Sequence, residues 1–254
     1  MSSGHIIKSF DIIDSETQKL IDNFLSKSTP PTIIEISNFL IKDLLIDITT
    51  DQDIVSGYDH DWSNLKGSAI ALCRPKDRLE CAIIMRICFK LNINMTISAG
   101  RTNLTGSATP NGGIIISIIN LNSIGNINYI NNTIESSPGV YLEDLRNHII
   151  RKSKNKLEFP VDPTSRKEAM VGGTISCNAS GFIPGEKGAM RYWIDSIDLL
   201  LPSGEIIKIN RGNHISHNGE FIIKKPDKSE LAIKVPTYNR VNLKNASGPF
   251  SSSN

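Results

Sequence analysis

A loop at 99–107, reading Ala-Gly-Arg-Thr-Asn-Leu-Thr-Gly-Ser, carries residue types suited to binding an anion. Gly100 and Gly106 allow positive φ and a close approach of the backbone to a ligand. Successive N–H groups of such a loop can form a concave nest for phosphate oxygens, the hydroxyl and amide side chains add donors, and Arg101 adds a fixed charge. The composition therefore predicts an anion site. An ordinary surface turn prefers the same residue types and is the alternative.

A second glycine-rich stretch, 171–181, reads Val-Gly-Gly-Thr-Ile-Ser-Cys-Asn-Ala-Ser-Gly. Gly172 and Gly173 lose much conformational entropy on folding and are unfavourable inside a helix, so we expect them where two backbones approach closely. Two such stretches indicate one elongated ligand that is contacted twice. The Walker and Rossmann glycine patterns are absent, which argues against those nucleotide-binding classes.

Strand, helix and strand patterns precede the first loop. Residues 70–73 form a short apolar run, and 77–91 open with an Asp-x-x-Glu capping box and carry an apolar stripe at helical spacing. Residues 93–98 alternate apolar and polar side chains, which predicts a strand with Ile97 on its buried face. The loop then leaves the carboxyl end of a strand, where open α/β sheets bind their ligands.

Periodicity and turn residues predict the remaining elements. We expect helices at 15–25, 32–45 and 141–151, a buried strand at 114–119, hairpins at 126–136 and 193–209, and polar segments at 49–64 and 211–230. We interpret 211–230 as an insertion or loop. Nothing in the first 66 residues demands chemistry.

Composition is that of a globular protein. The 28 Lys and Arg residues exceed the 26 Asp and Glu residues by two, which is too small an excess to indicate nucleic acid binding. No apolar run is long enough to span a bilayer, and the first residues lack the apolar core of a signal peptide, so we expect a cytoplasmic location. The four cysteines form no Cys-x-x-Cys motif and the histidines are scattered, which predicts core cysteines and no metal site.

An ordered set of motifs resembles the FAD-linked oxidases of the vanillyl-alcohol oxidase and p-cresol methylhydroxylase type, particularly the glycolate and D-lactate dehydrogenase branch. The resemblance covers about residues 55–248. The motifs are Gly100-x-Thr102-x-Leu104-x-Gly106 with Pro110 and Gly112-Gly113, Pro138-Gly139-Val140, Asp162-Pro163-x-Ser165, Gly172-Gly173-Thr174-x-x-x-Asn178-x-x-Gly181 and Leu201-Pro-Ser-Gly204.

This resemblance implies an α+β fold, a two-subdomain FAD-binding domain of the p-cresol methylhydroxylase type. The FAD-binding domain would occupy 67–254, with its first subdomain and pyrophosphate loop at 67–140 and an incomplete second subdomain at 141–254, after an N-terminal helical extension at 1–66. Family members continue into a Ser-Glu-Gly-Thr-Leu-Gly block, whereas the last residues here complete no element. We therefore interpret the chain as truncated at its C-terminus, and a flexible natural tail is the alternative.

The same resemblance implies the cofactor and its contacts. FAD would lie against the pyrophosphate loop at 99–107, against two later segments on the flavin and ribityl side, and near 244–248. Relatives with covalent flavin carry a histidine where Thr102 stands, so we predict non-covalent FAD. No catalytic residue can be named. The residues assigned to the cofactor are Ala99, Gly100, Arg101, Thr102, Asn103, Leu104, Gly106, Ser107, Pro163, Ser165, Gly172, Gly173, Thr174, Asn178 and Gly181.

The functional hypothesis is the FAD-binding portion of an oxidoreductase that oxidises a small 2-hydroxy acid, of the D-lactate or glycolate type, by hydride transfer to flavin. The alternatives are a non-catalytic remnant or binding subunit with the same fold, and a UDP-N-acetylmuramate dehydrogenase-like or sugar-oxidase flavoenzyme. The expected partner is the small-molecule substrate, with no nucleic acid and no transmembrane segment. The electron acceptor and peripheral membrane association stay open.

Overall fold

The computed structural model describes residues 4–235, apart from the side chain of Glu186, and divides them into two compact units. A central unit comprises 13–158 and 165–173. A terminal unit comprises 4–12, 159–164 and 174–235. The domain limits expected from the sequence stay a prediction, and the units found here interleave along the chain.

The described chain contains both helices and strands, and its last four elements are all strands. The helices are α1 Ser15–Leu25, α2 Ile33–Lys42, α3 Gln52–Val55, α4 Arg78–Lys90, α5 Leu142–Lys152 and α6 Val171–Ser176. Short 3-10 turns lie at Ser56–Tyr58, Glu186–Gly188 and Met190–Trp193. The strands are β1 Ile6–Phe10, β2 Ile48–Thr49, β3 Ala71–Cys73, β4 Met95–Ser98, β5 Ile114–Ser117, β6 Ile124–Asn128, β7 Thr133–Ser136, β8 Ser196–Leu200, β9 Ile206–Asn210, β10 Glu220–Lys224 and β11 Glu230–Lys234.

The central unit is built on a four-stranded sheet in the order β2-β3-β5-β4, in which β3 and β4 each run parallel to β5. Ile114, Ile115 and Ile116 of β5 are at most 1% exposed. A continuous apolar run is typical of a parallel strand covered on both faces, which is why the sequence predicted this strand correctly. The predicted strand, helix and strand before the loop are β3, α4 and β4.

Two details of this unit differ from the sequence prediction. Ile97 of β4 is 47% exposed while Ser98 is 1% exposed, so the expected buried face was wrong. In the described sheet β4 lies at an edge and pairs with β5 alone, and alternation does not show which face of an edge strand is covered. Asp77 caps α4 as expected, but Glu80 accepts the N–H of Lys76 at 2.8 Å instead of closing the box on Asp77.

The other central elements follow the predicted pattern closely. Asp14 caps α1, and Thr32 with Glu35 forms a complete capping box on α2. The strands β6 and β7 pair as an antiparallel hairpin, and Asn132 takes the positive φ that its turn requires. The polar segment 49–64 contains α3 and the 3-10 turn after it.

The terminal unit contains a five-stranded sheet in the order β11-β10-β1-β9-β8. The predicted hairpin of β8 and β9 is present, with Gly204 at a φ of 91° in its turn. The prediction of a loop or insertion at 211–230 was wrong, because β10 forms there and pairs parallel to β1 from the start of the chain. The strand β1 was also not predicted within the helical extension.

Neither a membrane span nor a metal cluster occurs in the described residues. Within 4–235 no helix is long and apolar enough to cross a bilayer. The same part of the chain holds no group of three His, Cys, Asp or Glu side chains placed to bind a metal ion. The cytoplasmic location expected from the sequence stays a prediction.

Thiol reactivity should separate the four cysteines. Burial raises the pKa of Cys81 and of Cys88 to about 12 and also raises the pKa of Cys73, whereas Cys177 is exposed. At about pH 8 only roughly one in ten thousand thiols with a pKa near 12 is ionised, and the thiolate is the reactive form. We expect one fast thiol per native chain in a timed disulfide-exchange assay, and three more after unfolding in urea.

The variant Cys177→Ser is the control for this assay and should lose the fast phase alone. A fast phase that persists in this variant would contradict the burial of the other three thiols.

Candidate functional site

The loop at 99–107 begins directly after β4 and returns the chain to β5. The backbone N–H groups of residues 101–104 have no hydrogen-bond acceptor in the described part of the chain. Four adjacent free donors at the carboxyl end of a parallel strand can bind an anion such as a phosphate group. The arrangement therefore fits the phosphates of a dinucleotide.

Asn103 organises the second half of the loop. Its Oδ1 accepts hydrogen bonds from the N–H of Thr105 at 3.1 Å, from Thr105 Oγ1 at 3.1 Å and from the N–H of Ser107 at 3.2 Å. The N–H of Thr109 donates to the carbonyl of Gly106, which takes a φ of 77°. The N–H groups of Thr105 and Ser107 are therefore used inside the loop, whereas those of residues 101–104 stay free within the described chain.

Arg101 does not direct its charge into the loop. Its Nη1 donates to the carbonyl oxygen of Gly57 at 2.5 Å, and its guanidinium lies 4.4 Å from the ring centre of Tyr58. The residue also adopts a φ of 55°, an unfavourable conformation for a side chain other than glycine or asparagine. Its side chain therefore ties the loop to the 3-10 turn after α3.

The segment 165–173 lies against the start of the loop within the central unit. A Cβ added to Gly100 would lie 2.1 Å from the carbonyl oxygen of Glu168, and one added to Gly173 would lie 3.3 Å from Ala99 Cβ. The carbonyl of Ser165 accepts the N–H groups of Glu168 and Ala169, which forms the turn of this segment. Of the predicted site residues, these contacts bring together Ala99 and Gly173 and set Gly100 against the turn that Ser165 begins.

Gly172 and Gly173 lie inside the six-residue helix α6, so the prediction that they would avoid a helix was wrong. A Cβ on Gly172 would lie 2.6 Å from Pro138 Cβ and 3.1 Å from the Pro138 carbonyl oxygen. Close packing against Pro138 therefore offsets the helical cost of a glycine, which is roughly 1 kcal/mol relative to alanine.

The remaining predicted residues of the second stretch belong to the terminal unit. Asn178 takes a φ of 46° just after α6, and its Oδ1 accepts the N–H of Arg191 at 3.0 Å. The N–H of Ala179 donates to the carbonyl of Thr174, and a Cβ on Gly181 would lie 2.1 Å from the carbonyl oxygen of Asp162. These contacts explain why asparagine and glycine occupy two of these positions.

Four predicted residues need separate mention. Pro163 is buried, next to Asp162. Leu104 at the tip of the loop is 72% exposed, Thr102 is half-buried and Ser107 is exposed. The expected approach of 244–248 to the cofactor lies outside the described residues.

The sequence analysis missed Asp61, in the polar segment before β3. Its carboxylate is 3% exposed and accepts the N–H of Ala108, immediately after the loop. The signal available in the sequence was the Asp-x-Ser spacing of a local turn, which says nothing about a contact with a loop more than 40 residues away.

A family model described as an FAD binding domain matches residues 69–210, more than half of the chain. The chain belongs to this FAD-binding domain family. The predicted α+β fold and FAD as the cofactor are thereby confirmed. The loop with its free N–H groups lies within the matched residues of this FAD-binding domain.

Named relatives agree with this assignment. A D-lactate dehydrogenase from Anaerostipes hadrus is 30% identical over 72% of this chain and 38% of that protein. A D-2-hydroxyglutarate dehydrogenase from Stutzerimonas stutzeri is 27% identical over 65% of this chain and 35% of that protein. Chitooligosaccharide oxidase has a similar fold, with a TM-score of 0.59 at 13% identity over 69% of this chain and 37% of that structure. The chain spans little more than a third of the length of these proteins.

Proposed function

We propose that this chain holds FAD non-covalently in an oxidoreductase that oxidises a small 2-hydroxy acid. The observation that carries the proposal is the row of four free N–H groups at 101–104, in a loop of an FAD-binding domain. These groups would bind the pyrophosphate, whose negative charge they can share without a metal ion. The segments at 163–165 and 172–181 would contact the rest of the cofactor.

The reaction proposed is a two-electron oxidation of an alcohol. Conversion of a 2-hydroxy acid to a 2-oxo acid removes a hydride from the α-carbon and a proton from the hydroxyl group. FAD, when bound, would supply the redox chemistry by accepting the two electrons. The residues of this chain bind the cofactor and hold it in place.

The substrate class rests on the relatives. Lactate and 2-hydroxyglutarate, which appear in the names of two of them, both carry a hydroxyl beside a carboxylate. The similarity to an oligosaccharide oxidase is at the level of fold and carries no substrate with it. A small D-2-hydroxy acid is therefore the proposed substrate.

Anaerobic titration of the FAD-loaded chain tests this proposal. Bleaching of the visible flavin band by D-lactate, D-2-hydroxyglutarate or glycolate, with no bleaching by L-lactate or a sugar, is the expected result. Bleaching by the sugar alone would show that the substrate is a sugar, as in a sugar oxidase, and not a 2-hydroxy acid. A chain that retains flavin but is reduced by none of these acids would contradict the proposed activity.

The flavin should leave the polypeptide on denaturation. The loop 99–107 contains neither histidine nor cysteine, and Thr102 stands at the position expected of a flavin-linking histidine. We expect acid precipitation of the loaded chain to leave all flavin in the supernatant, measured by fluorescence. Flavin in the pellet would contradict non-covalent binding. If the pellet of Cys177→Ser then contained no flavin, the covalent bond would be assigned to the exposed thiol of Cys177.

A further inference from the structure

The segment 56–66, here called the brace, contacts the loop 99–107 and its flank at three points inside the central unit. Near its start, Gly57 and Tyr58 hold the guanidinium of Arg101. In its middle, Asp61 reaches the far end of the loop. Near its end, Leu65 Cδ1 occupies the space beside Gly106, 2.6 Å from where a Cβ on that glycine would lie.

Asp61 is the central contact of the brace. Its Oδ1 accepts the N–H of Ser63 at 2.9 Å and its Oδ2 accepts the N–H of Ala108 at 3.3 Å. Burial raises the pKa of Asp61, but hydrogen bonds, among them those from the N–H groups of Ser63 and Ala108, outweigh burial and hold the pKa below the usual 3.8.

The brace holds the loop at both ends. Gly57 and Tyr58 hold the side chain of Arg101, the first residue of the row with free N–H groups. The carboxylate of Asp61 holds the N–H of Ala108, directly after the loop. The positions of these two ends decide where the free N–H groups between them lie.

We propose that Asp61 is a positioning residue for the FAD pyrophosphate loop, and that the brace belongs to the cofactor site although it lies before the matched residues 69–210. This inference rests on the proposed binding of FAD at 99–107. Its own content is that the loop adopts the binding conformation because Asp61 holds Ala108 at the far end of the loop.

The test compares Asp61→Asn with Asp53→Asn in the full chain. The first change replaces one acceptor oxygen by an NH₂ group. The backbone N–H of either Ala108 or Ser63 then faces a donor and loses its hydrogen bond. The second makes the same change on an exposed side chain of α3. Hydrogen–deuterium exchange over 99–110 is measured without FAD, and the Kd of FAD is measured by quenching of flavin fluorescence.

In Asp61→Asn the loop amides should exchange faster. The Kd of FAD should rise roughly tenfold, the loss of affinity expected for one unsatisfied buried donor. Asp53→Asn should match the unchanged chain in both measurements. If Asp61→Asn fails to fold by circular dichroism, Asp61→Glu, which keeps the charge but displaces the carboxylate from the N–H of Ala108, should give the same two effects.

Three results distinguish the possible failures. Unchanged exchange and unchanged FAD affinity in Asp61→Asn would overturn the positioning role while leaving the proposed function intact. Faster exchange with unchanged affinity would show that the brace shapes the loop but not the cofactor site, which also overturns the inference. An unchanged chain that binds no FAD would overturn the proposed function, and the exchange data would still decide whether Asp61 holds the loop.

Discussion

Gly100→Ala is expected to weaken FAD binding about a hundredfold, equivalent to about 2.7 kcal/mol. The added Cβ would lie 2.1 Å from the carbonyl oxygen of Glu168 and 3.1 Å from Ala169 Cα. Both neighbours are backbone, so the start of the loop must move away from 165–173, and the free N–H groups that follow it must move as well. Overpacking of this kind also costs stability, by about 1–3 kcal/mol.

The measurement for Gly100→Ala is a fluorescence titration with FAD beside a urea unfolding curve. Gly125→Ala is the matched control, because its Cβ would lie 3.3 Å from Glu135 Cβ and 3.4 Å from the Glu135 carbonyl oxygen, a mild contact on the hairpin of β6 and β7 that a shift of a few tenths of an ångström relieves. FAD affinity should be unchanged in the control. Equal affinity in Gly100→Ala and in the unchanged chain would mean that the loop does not bind the cofactor in the conformation described.

Gly113→Ala is expected to be far more destabilising than Gly112→Ala, although the two glycines are adjacent and have φ values of 69° and 72°. Both variants place a side chain in the left-handed region, at a cost of about 1–2 kcal/mol. At Gly112 nothing lies within 4 Å of the new Cβ, whereas at Gly113 it would lie 2.0 Å from the carbonyl oxygen of Asn94. We therefore expect a total loss of about 4 kcal/mol for Gly113→Ala.

Urea unfolding followed by circular dichroism measures both losses. The difference between the two variants isolates the clash with Asn94, since the conformational cost is common to both. Equal losses would contradict the close approach of residues 94 and 113 at the edge of the central sheet.

Local patterns predicted the elements whose signal lies in a short stretch of the sequence. The capped helix α2 and the buried strand β5 could be predicted because capping residues and a continuous apolar run determine them. The strand β10 was missed because its partner β1 lies at the opposite end of the sequence. The helical glycines were missed because Gly172 is favourable there only through its close packing on Pro138, and Gly173 lies close to Ala99, contacts that the local sequence does not show.

The site was predicted at the level of the loop but not of its hydrogen bonds. The ordered motifs indicated the family and the segment 99–107, and the spacing of Gly100 and Gly106 pointed to an anion. Composition could not show that Asn103 occupies two N–H groups of the loop, or that Arg101 turns toward Gly57. The first fact depends on the orientation of one amide, and the second depends on the brace, whose contact with the loop is set by tertiary packing.

The visible absorption spectrum of the purified chain, taken after incubation with FAD and removal of free cofactor by gel filtration, tests the central claim most directly. The account predicts that flavin absorbance elutes with the protein at about one FAD per chain. A colourless protein whose circular dichroism shows the mixed helical and strand content described here would contradict it, because the loop would then be folded and still bind no FAD.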